Sequence, residues 1–196
     1  MSKQVEFFFD VGSPASYLAW TQIRQLAERQ GAEVVFQPML LGGVFKATGN
    51  SSPATVPAKG NYTRVDFQRF AKRYGVPFAH NPFFPINTMQ LMRGAAAYLG
   101  TKQFLPYVDA VFHAMWVDGK DMGNPEVVAE VLAGKALDPA DLLQKINDPQ
   151  VKDRLRQITE QAIERGVFGA PTFFVADDMF FGQDRLDFVE EALAKA

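Results

Sequence analysis

The chain of 196 residues contains no cysteine, only two histidines, and a formal net charge of −2. Without cysteine it can form neither a disulfide framework nor a thiolate metal site, and it cannot hold an internal redox couple. His80 and His113 stand far apart in the sequence without ligand partners at metal spacing, so no metal site is expected. The nearly balanced charge gives no electrostatic reason to expect a nucleic acid or an anionic membrane as a partner.

Long apolar runs are also missing from the sequence. No stretch of about 18 uninterrupted apolar residues occurs, which argues against a transmembrane helix. The first residues lead directly into an apolar strand, without the charged and apolar regions of a signal peptide, so we expect a cytoplasmic protein. The composition, 47% hydrophobic and 21% charged, is that of a soluble globular protein long enough to bury a sizeable core.

The most informative motif is FFFDVGSPASYL at residues 7–18, which predicts an apolar strand, a short polar turn and a helix. Ser13 is placed to cap that helix because its hydroxyl can accept from a free amide one turn on, and Pro14 fits the first helical position. In thioredoxin-like proteins this turn carries a redox Cys-x-x-Cys motif, whereas here the slot at 13–16 reads SPAS. We therefore expect a site that holds a thiolate supplied by a ligand; the alternative is that Ser13 is only a helix cap.

The rest of the chain shows a definite order of strand and helix signals. A β-α-β unit is predicted first, and residues 40–60, rich in Gly, Ser, Thr and Pro, are expected to form a long irregular connection. Helical periodicity then continues as far as Gly166, and a hairpin and a terminal helix capped by Asp184 follow. The predicted strands and helices are strands 5–9, 33–38, 172–175 and 179–181, and helices 14–30, 67–74, 91–99, 104–115, 127–132, 139–146 and 149–165.

This order predicts an α/β protein with a thioredoxin-like fold and an inserted all-helical domain. Residues 1–40 and 166–196 are expected to form the thioredoxin-like domain, and residues 41–165 the helical insertion, lying over one end of the sheet. In such a fold Pro171 faces the start of the first helix, and the position favours a cis Ala170–Pro171 bond. The backbone N–H and C=O of Ala170 would then form a free strand edge, ready to pair with a peptide.

Several motifs carry a resemblance to a known family, and their order is the same as in that family. FFDVGSPASYL at 8–18 resembles the opening of the DsbA-like group that contains 2-hydroxychromene-2-carboxylate isomerases and kappa-class glutathione transferases. Later motifs similar to that group are GVFKATGN at 43–50, KGNY at 59–62, VFGAP at 167–171 and FGQDRL at 181–186. The similarity spans nearly the whole chain.

The resemblance implies glutathione as the cofactor and assigns residues to it. Ser13 would donate its hydroxyl hydrogen to the glutathione sulfur at the positive end of the first helix, which favours the thiolate. The Ala170 backbone would pair with the cysteinyl residue, and Gln183 and Asp184 would bind the γ-glutamyl end. Asn50 resembles an asparagine that contacts glutathione. From the residues alone, Asp184 is a helix cap and Asn50 a turn residue.

The resemblance also suggests residues for the substrate. Lys46 resembles the lysine beside the acidic substrate of the isomerases, although a solvated loop lysine explains it as well. Asn87 would face the pocket, or would only cap the helix beginning at Thr88. The stretches 51–56 and 81–85 lack the further polar and basic residues that the isomerases carry there. A neutral substrate is therefore an open alternative to an acidic one.

The function implied by the resemblance is that of a glutathione-dependent isomerase of the 2-hydroxychromene-2-carboxylate isomerase type, active in aromatic catabolism. Its thiolate would add to an alkene conjugated to a keto acid, allow the former double bond to rotate, and be expelled. The family also suggests a homodimer. Two alternatives stay open: a kappa-class-like transferase that releases the adduct, and a non-catalytic module that holds extended peptides at the Ala170–Pro171 edge.

Overall fold

A computed structural model describes residues 3–196 of the chain, with helices on both sides of a four-stranded sheet. The strands are β1 Gln4–Phe9, β2 Glu33–Pro38, β3 Thr172–Val175 and β4 Asp178–Phe181. The helices are α1 Pro14–Arg29, α2 Leu41–Thr48, α3 Pro57–Tyr74, α4 Met89–Tyr98, α5 Phe104–Trp116, α6 Pro125–Ala133, α7 Pro139–Asn147, α8 Pro149–Glu164 and α9 Leu186–Lys195. Two short 3₁₀ helices cover Pro53–Thr55 and Gln183–Arg185.

The sheet has the order β2-β1-β3-β4, with β1 parallel to β2 and antiparallel to β3. Strand β1 is buried on both faces, as its apolar run predicts. On one face Phe7 stacks on Phe173 with ring centroids 5.1 Å apart, within the main hydrophobic cluster. On the other face Phe8 packs with Phe174 in a second, smaller cluster. Because β1 is packed on both faces, it fixes the position of the turn that follows Phe9 relative to the sheet.

The helices α2 to α8 lie between the second and third strands of the chain, as the thioredoxin-like prediction requires. The predicted division into a thioredoxin-like domain and a helical insertion stays a prediction. The main hydrophobic cluster runs without a break from Phe7 in the sheet to Leu91 in α4 and Val108 in α5. No helix within residues 3–196 is both long enough and apolar enough to cross a membrane.

The predicted irregular connection at residues 40–60 is wrong, because α2, a 3₁₀ helix and the start of α3 occupy most of it. The glycines there lower helix propensity, but packing against α8 outweighs that cost. Val44 is fully buried in the smaller cluster, and a Cβ on Gly43 would lie 3.3 Å from the Thr159 side chain. The Leu40 N–H also donates to the Thr159 hydroxyl at 3.0 Å, which fixes the entry into α2.

Helix α4 approaches its neighbours most closely at Gly94, where a Cβ would collide with the Tyr107 hydroxyl and lie 2.8 Å from Leu142 Cδ1. The buried Tyr107 donates to the Leu91 carbonyl at 2.9 Å and has little room to move.

We expect Gly94→Ala to lower the free energy of unfolding by about 1–3 kcal/mol, measured by urea denaturation. Gly42→Ala is the control, since a Cβ there meets nothing within 4 Å, and it should not destabilise the protein. Equal stability of the two variants would contradict this packing.

Candidate functional site

The Ser13 side chain joins the start of α1 to the segment before β3. Its oxygen accepts from the Ser16 N–H at 3.1 Å, which makes Ser13 the N-cap of α1, and its hydroxyl donates to the Ala170 carbonyl at 3.0 Å. The side chain is largely buried, with the residue 5% exposed. The Ala170–Pro171 peptide bond is cis, as the order of the strands and helices predicts. The single hydroxyl hydrogen of Ser13 is therefore held by the backbone beside that bond.

This contact corrects one expectation about the strand edge. The Ala170 carbonyl was expected to be free, but it is paired because the capping serine reaches across to it. The Ala170 N–H, in contrast, forms no hydrogen bond within the described part of the chain. The edge thus presents one free donor and one acceptor whose present partner is a side-chain hydroxyl.

Asp10 holds the turn between β1 and α1 in place, and the sequence did not identify it as a site residue. It is 1% exposed. One carboxylate oxygen accepts from the Gly12 N–H at 2.8 Å, and the other accepts from the Leu41 N–H at 2.8 Å and the Thr88 hydroxyl at 3.1 Å. Burial raises the pKa of Asp10 above its ordinary value, against the opposing effect of these three hydrogen bonds. One carboxyl group therefore holds the turn, the start of α2 and the approach to α4 together.

Asn50 lies against the same segment as Ser13. Its side-chain amide donates to the Phe168 carbonyl at 2.8 Å, while its side-chain oxygen accepts from the Ser51 N–H at 2.8 Å. The Asn50 side chain thus makes a local turn bond, as the sequence predicts, and also contacts the segment that leads to Ala170. Sequence reasoning had no signal for the bond to Phe168, because the two residues are 118 positions apart.

Gln183 directly follows a residue that is hydrogen-bonded to the Ala170–Pro171 segment. The Gly182 N–H donates to the Pro171 carbonyl at 3.0 Å, so the 3₁₀ helix at Gln183–Arg185 begins beside the cis bond. The Tyr74 hydroxyl donates to the Gln183 carbonyl at 2.8 Å. Burial, aided by nearby carboxylates, raises the pKa of Tyr74 to about 12, so this donor keeps its proton at neutral pH. Gln183 itself is buried.

Asp184 does not cap the terminal helix, and that prediction is wrong. Helix α9 begins at Leu186, and its N-cap position is occupied by Arg185 with no side-chain cap bond. The reason is the intervening 3₁₀ turn, in which the Asp184 carboxylate pairs with Arg185 at 2.9 Å instead of reaching the helix amides. The carboxylate stays partly exposed, with the Arg185 guanidinium as its partner.

Lys46 and Asn87 are not linked to Ser13 or Ala170 by any direct contact that the structure records. Lys46 lies exposed in the last turn of α2 and forms no ion pair with any residue between 3 and 196. Asn87 accepts from the Met89 N–H at 3.0 Å, at the start of α4. The N-cap of α4 is Thr88, which makes no side-chain cap bond, so Asn87 stands one position before the cap. Asn87 is connected to the turn through its neighbour Thr88, whose hydroxyl donates to Asp10.

An exposed aromatic pair borders the same segment and was also missed from the sequence. The rings of Phe168 and Phe181 lie 4.6 Å apart, with the residues 37% and 42% exposed. A Cβ on Gly169 would lie 2.6 Å from the Phe181 ring, so glycine permits this close approach. The pair forms an apolar wall beside Asn50 and Ala170.

The start of α1 carries the partial positive charge of a helix N-terminus, which favours an anion. Helix α1 has 16 residues, Ser13 stands at its positive end, and its first turn carries no acidic residue. A thiolate held there is favoured over the thiol. The Ala170 N–H, which has no hydrogen-bond partner among residues 3–196, lies beside Ser13. Asn50 and Asp184 belong to segments that are hydrogen-bonded to the stretch around Ala170, through Phe168 and through Gly182.

Comparisons with known proteins identify the family and the fold of this chain. A family model described as a DsbA-like thioredoxin domain matches residues 4–194. The chain is 34% identical to a 2-hydroxychromene-2-carboxylate isomerase of Sphingobium xenophagum, over 98% of this chain and 99% of that protein. It is 27% identical to human glutathione S-transferase kappa 1, over 100% of this chain and 92% of that protein. A solved 2-hydroxychromene-2-carboxylate isomerase superposes with a TM-score of 0.85 and 31% identity, over 98% of this chain and 95% of that one.

Proposed function

This chain belongs to the 2-hydroxychromene-2-carboxylate isomerase family of DsbA-like thioredoxin domains, and on that premise we propose that it is a glutathione-dependent isomerase. Its substrate would be a small aromatic or unsaturated keto acid, and the protein would act as a homodimer. The observation that carries the proposal is the Ser13 hydroxyl, held between the start of α1 and the Ala170 carbonyl in a chain without cysteine.

The residues around Ser13 fit glutathione. The Ala170 N–H has no partner among the described residues and would pair with a main-chain carbonyl of the tripeptide. Gln183 and Asp184 would hold the γ-glutamyl end, where the Asp184 carboxylate suits an ammonium group, and the Asn50 amide would hold the backbone. When bound, glutathione would supply a thiolate that adds reversibly to the activated alkene of the substrate, permits rotation about the former double bond, and leaves again.

The hydrogen bonds of Ser13 suggest how its proton is controlled. Its oxygen accepts from the Ser16 N–H, and its hydrogen is engaged by the Ala170 carbonyl. A peptide N–H donated to that carbonyl would compete for it and release the Ser13 hydrogen, while the bond from Ser16 keeps the side chain in place. Ser13 would therefore become a donor toward sulfur only when the Ala170 edge is occupied.

The substrate contacts are proposed for Lys46 and Asn87. A carboxylate bound in a largely apolar site needs a paired cation, because burying an unpaired charge is costly. Lys46 has its ammonium free of ion pairs within the described residues and stands on α2, whose first amide is tied to Asp10. The aromatic wall of Phe168 and Phe181 would contact the apolar part of the substrate.

Glutathione stoichiometry separates the isomerase from a kappa-like transferase, which the similarity to human glutathione S-transferase kappa 1 keeps as the second candidate. With glutathione at one-tenth of the substrate concentration, we expect a hydroxychromene carboxylate to reach its isomerisation equilibrium, with many product molecules formed per glutathione and an unchanged amount of free thiol. A transferase would stop at one product per glutathione, and the free thiol would fall in step. Product and thiol are measured together by absorbance and a thiol reagent. Conversion at the same rate without glutathione would refute both candidates.

A further inference from the structure

A cavity of about 470 Å³ lies between α4, α6 and α7, and its lining includes none of the residues that contact Ser13 or Ala170. Asn87, proposed above as a substrate contact, also lines it. The volume is within the range of about 300–1,000 Å³ that small-molecule sites occupy. Every residue that α6 and α7 place on the cavity is apolar. Val128 and Leu132 of α6 and Leu142 and Ile146 of α7 are each four positions apart, so each pair lies on one helix face. Two of the three walls are therefore apolar.

The polar side chains on the cavity come from one short segment that leads into α4. They are Asn87, Gln90 and Arg93. Gln90 and Arg93 are three positions apart and share one face of the helix. Arg93 is half-buried, and it forms no ion pair with the residues that the structure describes. The third wall thus presents amide and guanidinium donors to the cavity.

Carboxylates on the surrounding helices do not neutralise Arg93. The cavity lining contains no acidic residue. Glu130 of α6 pairs with Lys120 at 3.2 Å, and Asp141 of α7 pairs with Lys145. The three other carboxylates of these helices and their caps do not line the cavity. Glu126 and Asp138 stand at helix starts, and Asp148 is the C-cap of α7. The cavity therefore has a positive charge on one wall and no negative charge to balance it.

We infer that this cavity is a second ligand site, which binds a small monocarboxylate with an apolar body. The carboxylate pairs with the Arg93 guanidinium and accepts from the Gln90 amide, while the body lies against α6 and α7. A planar guanidinium with no acidic partner binds a carboxylate by two parallel hydrogen bonds, and a neutral ligand does not match that arrangement. The bound body would also cover Leu143, an apolar residue of the lining that is 62% exposed.

The test is a binding titration of 2-naphthoate with the full-length protein. Binding is measured as a rise in the fluorescence anisotropy of the naphthoate. Its neutral analogue 2-naphthalenemethanol is titrated in competition. We expect saturable binding of the acid, with the alcohol about tenfold weaker because it lacks the charge-assisted bonds. Arg93→Met should weaken binding of the acid by about the same factor and leave binding of the alcohol unchanged. Arg156→Met, an exposed arginine of α8 outside the lining, is the matched control and should change neither.

Two further variants keep the test decisive. Leu143→Glu changes an exposed position, where folding is not at risk. It should weaken binding of the acid through charge repulsion and change the affinity for the alcohol by no more than about twofold. Lys46→Met should leave naphthoate binding unchanged, because Lys46 belongs to the other proposed site. Naphthoate binding that is equal in wild type, Arg93→Met and Leu143→Glu would overturn the inference, as would its loss in Lys46→Met or the absence of saturable binding. None of these results bears on turnover with glutathione.

Discussion

Replacing Ser13 with alanine is expected to lower turnover of the acidic alkene by about a hundredfold, the usual effect of removing one donor to a negative centre in an active site. The same change removes the N-cap bond to Ser16 and should cost about 1 kcal/mol of stability. Glutathione bound to the variant should keep its thiol proton to higher pH. The ultraviolet absorbance of the thiolate, followed against pH in wild type and variant, measures this shift.

Ser16→Ala is the matched control for that experiment. Ser16 is fully buried one turn into the same helix, in the last position of the SPAS slot, and its hydroxyl has no hydrogen-bond partner among the described residues. Removing an unpaired buried hydroxyl should leave stability unchanged or slightly higher, and the thiol titration should not move. A thiol titration of Ser13→Ala that matches wild type would show that Ser13 is only a helix cap.

Replacing Asp10 with alanine is expected to lower the free energy of unfolding by about 3 kcal/mol or more, since three donors lose their acceptor at about 1 kcal/mol each or more. The donors are the Gly12 and Leu41 N–H groups and the Thr88 hydroxyl, all bonded to the buried carboxylate. Urea unfolding measures the loss. Asp109→Ala is the control, because its carboxylate also accepts from Trp20 and Arg24 but is about half exposed, and water replaces it. Equal losses at the two positions would contradict the role given to Asp10.

The pH dependence of Asp10 gives a second readout of the same group. Because burial raises its pKa in the folded protein above the ordinary 3.8, the folded state holds this proton more tightly than the unfolded chain. Its contribution to stability is therefore largest below about pH 3.8 and falls as the pH rises through the raised pKa. Asp10→Asn lacks this titration, so the stability difference between wild type and Asp10→Asn should narrow as the pH rises. A difference that widens with pH would show that the pKa is lowered.

Much of the fold was predictable because the strands and helices carry strong local signals. The run at residues 5–9 predicts a strand buried on both faces, and the structure confirms it with separate clusters on each side. Serine and aspartate caps followed by proline mark the starts of α1, α7 and α8. Helix α2 was missed because its stability comes from α8, more than 100 residues away, and its glycines signal a loop when they are read locally.

The site was predictable in part, for the same physical reason. A cap serine and a proline before a strand are visible in the sequence, and the order of the strands predicts that Ser13 and Pro171 meet. The hydrogen bond of Ser13 to the Ala170 carbonyl, the reach of Asn50 to Phe168 and the three bonds of Asp10 depend on side-chain positions set by distant packing. An aspartate directly after the apolar run at residues 7–9 is the one local signal that could have pointed to Asp10.

The most direct test of the central claim is a crystal structure of the protein grown with reduced glutathione. The account predicts the glutathione sulfur within hydrogen-bond distance of the Ser13 oxygen, the cysteinyl backbone paired with Ala170, and the Ser13 hydroxyl no longer donating to the Ala170 carbonyl. Glutathione bound with its sulfur away from Ser13, or a site that stays empty at a glutathione concentration that supports turnover in solution, would contradict it.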